Sequence, residues 1–423
     1  MEKEFYQNNR KNYLNCVNDG SLSVFFSGKQ ITKSADQCYP FQVNNNFYYL
    51  TGINKPEMIL VLAKGANQTR DYLFIEKPSE YASLWFGDKM LKSEASQISG
   101  IPEANILYIE DFLSTIHRLL QVSRASVFGF INDMYFDLER EGFEAMPSLG
   151  NQFADKIKEK YPHIRINNAY NIVCVLRTYK ADCEVEAICD AIDITEEGIK
   201  ALMTNAAPNM YENELESYYD QVIKYHGSRV SFTTIAASGV NGTVLHYDEN
   251  NQVMKDNSLV LFDLGCISQL YCSDITRTFP VNGKFTERQK EIYSIVLECN
   301  KKCIEWLRPG VTSKEYNDYA RQILIDGCKR IGLIKEDHEI NRYYYHSIGH
   351  FLGLDVHDVG EYVTPFKEGI VITCEPGLYI REEGIGIRIE DDVLITKDGA
   401  KCLSSNIIKE IDDIEDFMAK YSK

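Results

Sequence analysis

Residues 259–280 read LVLFDLGCISQLYCSDITRTFP, and two charges in this stretch decide how the rest of the chain is read. Asp263 follows Leu-Val-Leu-Phe and precedes Leu-Gly, while Asp274 is set in Tyr-Cys-Ser-Asp-Ile-Thr. The apolar, β-branched and aromatic neighbours predict strands. An eleven-residue spacing, with Gly265 and polar residues between, fits a hairpin whose two strands each aim a carboxylate inward. An ionised carboxylate buried without a partner costs several kcal/mol, so this arrangement asks for cations.

Three further residues sit in the same kind of setting. Glu375 follows Ile-Val-Ile-Thr-Cys, and Glu390 closes Gly-Ile-Arg-Ile. His350 lies in YHSIGHFLGLDVHD (345–358), where three of the eight histidines, His346, His350 and His357, fall within twelve residues. That spacing is not the His-Glu-x-x-His of a helical zinc site, and its glycines and β-branched residues favour strand or loop. Four carboxylates and one neutral imidazole would leave a single divalent ion outnumbered. Two ions neutralise the set and leave room for a hydroxide between them, a known hydrolytic device. The ligands are oxygen-rich and contain no thiolate, which suits manganese, and less selectively cobalt, iron or zinc.

Composition narrows the rest. The formal charge of −17 repels phosphate backbones and no basic patch offsets it, so nucleic acid is not an expected partner. The start, MEKEFYQNNR, has no apolar core of a signal peptide, and no stretch approaches the roughly 18 apolar residues of a membrane helix. A cytoplasmic chain without membrane contact is the expectation. The twelve cysteines are scattered without a Cys-x-x-Cys, and Cys174, Cys266 and Cys374 lie in apolar strand-like runs; reduced buried thiols are expected.

At 423 residues two domains are the natural arrangement, with a boundary near residue 175. The first portion, 1–175, reads as α/β. Strands are predicted over Leu22–Phe26, Met58–Ala63 and Tyr72–Ile75, and helices from about Glu110 to Val122 and over Leu149–Lys160. A polar break at 177–182 leads into a helix over Glu184–Thr204. The second portion, 176–423, carries a helix Glu212–Tyr225 whose apolar face is read as Leu215, Tyr218, Tyr219, Val222 and Tyr225. Helices follow at Glu287–Leu307 and Glu315–Ile331, the latter preceded by the capping-box pair Thr312 and Glu315. Strand and loop fill 344–358, 370–380 and 386–396, and a short acidic helix ends the chain at about Ile411–Tyr421.

Four blocks now resemble the pita-bread metallopeptidases, and within them the aminopeptidase P group: LHYDEN (245–250), DLGCISQLYCSDITRTFPVNGKFT (263–286), HSIGHFLGLDVHDVG (346–360) and TCEPGLYI with GIGIRIEDDV (373–393). The front portion joins in through TKSADQCYPFQVNNNFYYLTG (32–52). The resemblance implies an α+β pita-bread domain after a smaller α/β domain, and hydrolysis of the bond before proline at a peptide N-terminus. Asp263, Asp274, His350, Glu375 and Glu390 would hold two divalent ions, with Asp274 and Glu390 bridging, Asp263 on one ion, and His350 and Glu375 on the other. His246 and His357 would touch the substrate carbonyl or the departing amide, and Glu375 would relay the proton. His346 would shape the proline pocket, Arg388 would anchor Glu390 or a bridging carboxylate, and Tyr379 would lie beside that network and help to bind the substrate. Trp85, in Leu-Trp-Phe-Gly, matches a substrate-wall position reached from a neighbouring subunit, and Asp36 a nearby oligomer contact, which implies a homodimer or homotetramer.

Two positions depart from the pattern: Ser347 where a glycine is usual, and Phe232 where a tyrosine is expected. The rival within the fold is an Xaa-Pro dipeptidase. The rival outside it is a non-enzymatic binding module, against which the five intact ligands argue. No G-x-S-x-G supports a serine hydrolase.

Overall fold

The computed structural model of the protein describes residues 1–121 and 127–421, and its backbone divides into two units, Met1–Arg177 and Thr178–Lys423. The first unit is built on a six-stranded mixed sheet. Its strand order is Ile106–Tyr108, Thr69–Ile75, Ile59–Lys64, Ser21–Phe26, Asp133–Phe136, Arg165–Asn168. Alternation along the central strand sends Leu22 and Val24 to one face, where they pack with Val61 and Phe74 beneath helices Phe112–Leu120 and Leu149–Lys160. Ser23 points the other way, and its hydroxyl meets that of Tyr13 at 2.9 Å. The helix expected from Glu110 opens instead as a 3-10 turn, Ile109–Asp111, and becomes α-helical at Phe112. Val122 lies outside the described residues.

The described residues of the second unit place two three-stranded antiparallel sheets and a hairpin among five α-helices: Asp182–Asn205, Glu212–Tyr225, Glu287–Trp306, Ser313–Arg330 and Ile411–Tyr421. One sheet orders Ile275–Pro280, Leu259–Leu264 and Ile235–Ser238. The other orders Val371–Cys374, Asp391–Ile395 and Ala400–Cys402; the hairpin pairs Gly377–Ile380 with Ile385–Arg388. Asp263 stands opposite Thr276 in the 259–264/275–280 pair. The connection is itself a small hairpin, Ile267–Ser268 with Tyr271–Cys272, turning on Gln269 and Leu270 at φ 48° and 67°. Thr286 with Gln289, and Thr312 with Glu315, close capping boxes that fix the starts of two helices.

Three sequence readings need correction. Helix Glu212–Tyr225 buries Glu212, Leu215, Tyr219 and Ile223, whereas Tyr225 is 84% exposed. The 3.6-residue period runs from the buried glutamate through Ile223, and Tyr218 and Val222 flank that face half-buried. Cys174 lies in helix Tyr170–Thr178 rather than a strand, a short apolar run being ambiguous by period alone. All twelve cysteines are free, but Cys16 and Cys38 are exposed, not buried.

The polar break at 177–182 also turns out to be structural. Lys180 and Asp358 form an ion pair at 3.0 Å with both side chains 1% exposed, fastening the start of the second unit to the loop that carries His357. Among the described residues no helix is long and apolar enough to cross a membrane.

Candidate metal centre

Strand ends deliver the carboxylates. Asp263 sits near the end of Leu259–Leu264, Asp274 immediately before Ile275–Pro280, Glu375 immediately after Val371–Cys374, and Glu390 immediately before Asp391–Ile395. His350 comes from the irregular 344–358 segment, which is pinned to the second sheet. Thr373 N–H donates to the His350 carbonyl (2.9 Å), Glu375 N–H to that of Ile348 (2.8 Å), and His350 N–H to Thr373 Oγ1 (3.1 Å). The approach is so close that a Cβ at Gly349 would lie 2.1 Å from the Thr373 carbonyl, so only glycine serves there.

Asp274, His350 and Glu390 offer ligand atoms that all lie within 4.8 Å of one another. His350 Nε2 is 3.3 Å from Asp274 Oδ2 and 3.8 Å from Glu375 Oε1. Its Nδ1–H donates to the Phe351 carbonyl at 3.0 Å, which fixes the tautomer and leaves Nε2 free to ligate. Among the described residues, Asp263 Oδ1 and Asp274 Oδ1 are buried without a hydrogen-bond partner. Buried acceptors left unpaired are costly, and cations are the partners that this donor set would satisfy. The residues therefore fit a metal centre.

The electrostatics agree. Burial first, and then the charge of Asp263, pushes the Asp274 carboxyl up to about 6, against the pull of His350. Glu375 is pushed up to about 7 by burial and by Asp274 and Asp263, against His350 and Arg388, and Glu390 is raised well above the usual range. His350 would be depressed by burial, but its hydrogen bond to Asp274 and the nearby carboxylates lift it to about 9. Asp274, Glu375 and Glu390, crowded in one desolvated place, resist ionising together unless a cation joins them.

Arg388 departs from its expected part. Its Nη2 donates to Asp263 Oδ2 at 2.6 Å, and it reaches Glu390 only through Thr276, whose hydroxyl accepts from Arg388 Nε (3.0 Å) and donates to Glu390 Oε2 (2.6 Å). Its Nη1 donates to Tyr379 Oη at 3.1 Å. The Tyr379 hydroxyl donates in turn to His346 Nε2 (2.8 Å), and His346 Nδ1–H donates to the Ser347 carbonyl (2.7 Å). Tyr379 is thus 2% exposed, spent on this chain and absent from the cavity wall, so a direct hold on substrate is not its place. Burial, with Arg388 close by, holds the His346 imidazole down at about 4, in its neutral form.

The five candidate ligands open onto a cavity of about 780 Å³ whose walls include His246, His346 and His357. The His357 ring lies 4.2 Å from that of His350 and is kept below its usual range by burial, then by His350 and His246. Phe232 and Ser347, the two departures, both line the same cavity. Trp85 belongs to the first unit, on helix Glu80–Phe86, with its side chain 69% exposed.

Thr276 and Thr373 escaped the sequence reading. Each lies two residues from a ligand, Asp274 or Glu375, which is the same-face spacing of a strand and the signal that could have found them. Behind the ligands, Arg277 is fully buried and donates to the carbonyls of Glu390 (2.6 Å), Ile407 (3.2 Å) and Ile408 (3.1 Å) and to Asp391 Oδ1 (2.7 Å), while Lys409 caps Asp391 Oδ2 at 2.6 Å.

With the geometry in place, comparison with known proteins is specific. Residues 186–397 match the model of metallopeptidase family M24, and residues 6–128 that of the aminopeptidase P N-terminal domain. The chain is 32% identical to the Xaa-Pro aminopeptidase of Escherichia coli, covering 100% of this chain and 99% of that one. It is 34% identical to human Xaa-Pro aminopeptidase 3 over 94% of this chain and 81% of the relative. Among solved structures, the E. coli aminopeptidase P with the inhibitor Pro-Leu superposes with a TM-score of 0.89 at 32% identity, covering 100% of this chain and 99% of that one. Another E. coli structure is a zinc-substituted form in complex with product, at TM-score 0.90 and 31% identity, again with 100% and 99% covered.

Proposed function

The chain belongs to metallopeptidase family M24, with an aminopeptidase P N-terminal domain in front, and from that premise we propose how it works. It is an Xaa-Pro aminopeptidase: it hydrolyses the peptide bond between an N-terminal residue and a following proline and releases the first residue. The observation that carries this is the convergence of Asp274, His350 and Glu390, beside Asp263 and Glu375, on one cavity. An Xaa-Pro dipeptidase is the lesser reading, because full-length relatives and the front domain both point to the aminopeptidase.

Asp263, Asp274 and Glu390 would hold one divalent ion, and Asp274, Glu390, His350 and Glu375 the other, with manganese the best match to this hard ligand set and cobalt, iron or zinc as substitutes. When bound, the ions supply Lewis-acid polarisation of the scissile carbonyl and acidify water at the site. The chain's own residues do the rest. His246 and His357 stand at the cavity wall as donors to the carbonyl oxygen or the departing amide. Glu375 receives the proton of the attacking water on its carboxylate and returns it to the proline nitrogen, which is tertiary and must be protonated to leave. His346, held neutral and fixed by Tyr379, shapes the face against which the proline ring rests. Arg388 holds Asp263 and, through Thr276, Glu390.

The direct test offers purified, manganese-loaded protein Xaa-Pro dipeptides beside Xaa-Pro-Yaa and longer peptides. Release of the first residue from the longer peptides is expected; cleavage confined to dipeptides favours the rival. His246→Ala is expected to keep its metal, since it lies outside the five ligands, yet lose about 10²–10³-fold in kcat with KM changed far less. Near-normal kcat at the same metal content would remove His246 from the mechanism.

A cytoplasmic setting agrees with twelve free cysteines. Self-association to a homodimer or homotetramer is supported by helix Glu80–Phe86, which exposes Tyr81, Leu84, Trp85 and Phe86 at 69–85%. In an assembly Trp85 would reach a neighbouring subunit's substrate wall, with Asp36 near the contact. Light scattering should report a multiple of 48.5 kDa; a 48.5 kDa species alone at working concentration counts against it.

A further inference from the structure

Glu212 opens helix Glu212–Tyr225 and is fully buried, yet among the described residues no Lys, Arg or His pairs with it. Instead its carboxylate accepts five hydrogen bonds. Oε1 takes Ser238 N–H (2.7 Å), Ser238 Oγ–H (2.7 Å) and Asn241 Nδ2–H (3.1 Å). Oε2 takes Tyr247 Oη–H (2.8 Å) and Gln252 N–H (2.9 Å). The backbone N–H of Glu212 donates to the Gln252 carbonyl at 2.9 Å, closing the ring. All five donors come from one segment, 238–252, and they enter at its start, middle and end.

That segment carries His246 into the cavity, and Tyr247 is its next residue. Two further contacts hold its near end: Tyr345 Oη donates to the Thr243 carbonyl at 2.8 Å, and Gly386 passes so close that a Cβ there would lie 1.9 Å from the Gly242 carbonyl. A buried charge without a counter-ion is an expensive way to fasten a loop. An acceptor on both oxygens is what the five donors require, and the positive end of the helix helps to hold the charge.

We infer that Glu212 is the positioning residue for His246: through Tyr247 it fixes where the imidazole meets the substrate. This rests on the reading of His246 as a donor to the scissile carbonyl region. Glu212→Gln keeps an acceptor for one set of donors but turns an amide N–H toward the other, so it should displace one end of the segment. Tyr247→Phe keeps four of the five bonds and cuts the link next to His246, together with the long 3.4 Å bond that Tyr247 Oη accepts from Asn251 N–H.

The test is a double-mutant cycle on a metal-loaded enzyme with an Xaa-Pro-Yaa peptide: Glu212→Gln, Tyr247→Phe and His246→Ala alone, then each of the first two combined with His246→Ala. Glu212→Gln and Tyr247→Phe should each lower kcat about tenfold or more, with KM and metal content nearly unchanged. In the His246→Ala background neither should lower kcat by more than about twofold, because the group they position is gone. If both single variants keep full kcat while His246→Ala is impaired, or if the losses multiply in the combined variants, Glu212 does not act through His246 and the inference fails while the role of His246 stands. If His246→Ala itself keeps full kcat, both fall, and that single variant identifies the failing premise. Should Glu212→Gln not fold, the Tyr247→Phe cycle decides.

Discussion

Glu390→Ala is expected to abolish hydrolysis, by about 10³-fold or more, and to strip metal from the protein rather than only slow it. The side chain lies at the convergence with Asp274 and His350, and in the proposed arrangement it would serve both ions. Losing it removes several kcal/mol of transition-state charge stabilisation, and each 1.4 kcal/mol is a factor of ten. Thr276 would lose its acceptor at the centre, while Arg388 would keep its direct bond to Asp263. Asp274→Ala should behave alike. The metal-bound form should lose thermal stability while the chelated form loses less, since only the former draws stability from ligand binding. Bound metal by elemental analysis and turnover by product release measure both effects. Full activity in chelator-treated wild-type protein would sink the metal-centred reading outright.

The second large effect is an inversion of the pH dependence of stability between metal-free and metal-loaded protein. Asp274 and Glu375 are held at about 6 and about 7, and Glu390 well above its usual range, by burial and by one another. A carboxyl whose folded pKa exceeds its unfolded one contributes stability below the unfolded value, near 4, and loses it as pH rises through the folded value. His350, lifted to about 9, acts in the same direction between about 6.5 and 9. The metal-free protein should therefore lose several degrees of Tm from about pH 5 to pH 8, at 2–4 °C per kcal/mol for a domain of this size. Manganese binding needs deprotonated ligands, so the loaded protein should gain Tm across the same interval. Asp274→Asn should flatten the metal-free slope. Calorimetry at three pH values, chelated and loaded, decides it: a chelated form that grows more stable toward pH 8 contradicts the crowding of these carboxylates.

The four candidate carboxylate ligands stand out in the sequence because each is a charge in an apolar run, and His350 because three histidines cluster around it. A charge after Leu-Val-Leu-Phe or Ile-Val-Ile-Thr-Cys breaks the local pattern and demands a reason. Thr276, Thr373 and Glu212 break no pattern: threonine is at home in strands and glutamate at a helix start, so their roles depend on partners up to about a hundred residues away. Tyr379 misled for the opposite reason, since a conspicuous aromatic beside the site suggested substrate contact while its hydroxyl is taken by Arg388 and His346. Periodicity located the helices, yet it misjudged the face of Glu212–Tyr225 because a buried glutamate sets that face. The 345–358 segment has no period to read and takes its shape from the strand beside it.

The anchoring of Arg277 by Ile407, Ile408 and Asp391, with Lys409 behind, has a bearing on timing. A ribosome makes Asp263 long before Lys409; at about 5–20 residues per second the interval is on the order of ten seconds. Through that interval the growing polypeptide carries acidic strands whose backing has not yet been made. A nascent chain that has passed Glu390 holds every candidate ligand and still lacks the residues that seat Arg277 beneath Glu390. The backing of Glu390 is thus made by residues that are synthesised after every candidate ligand.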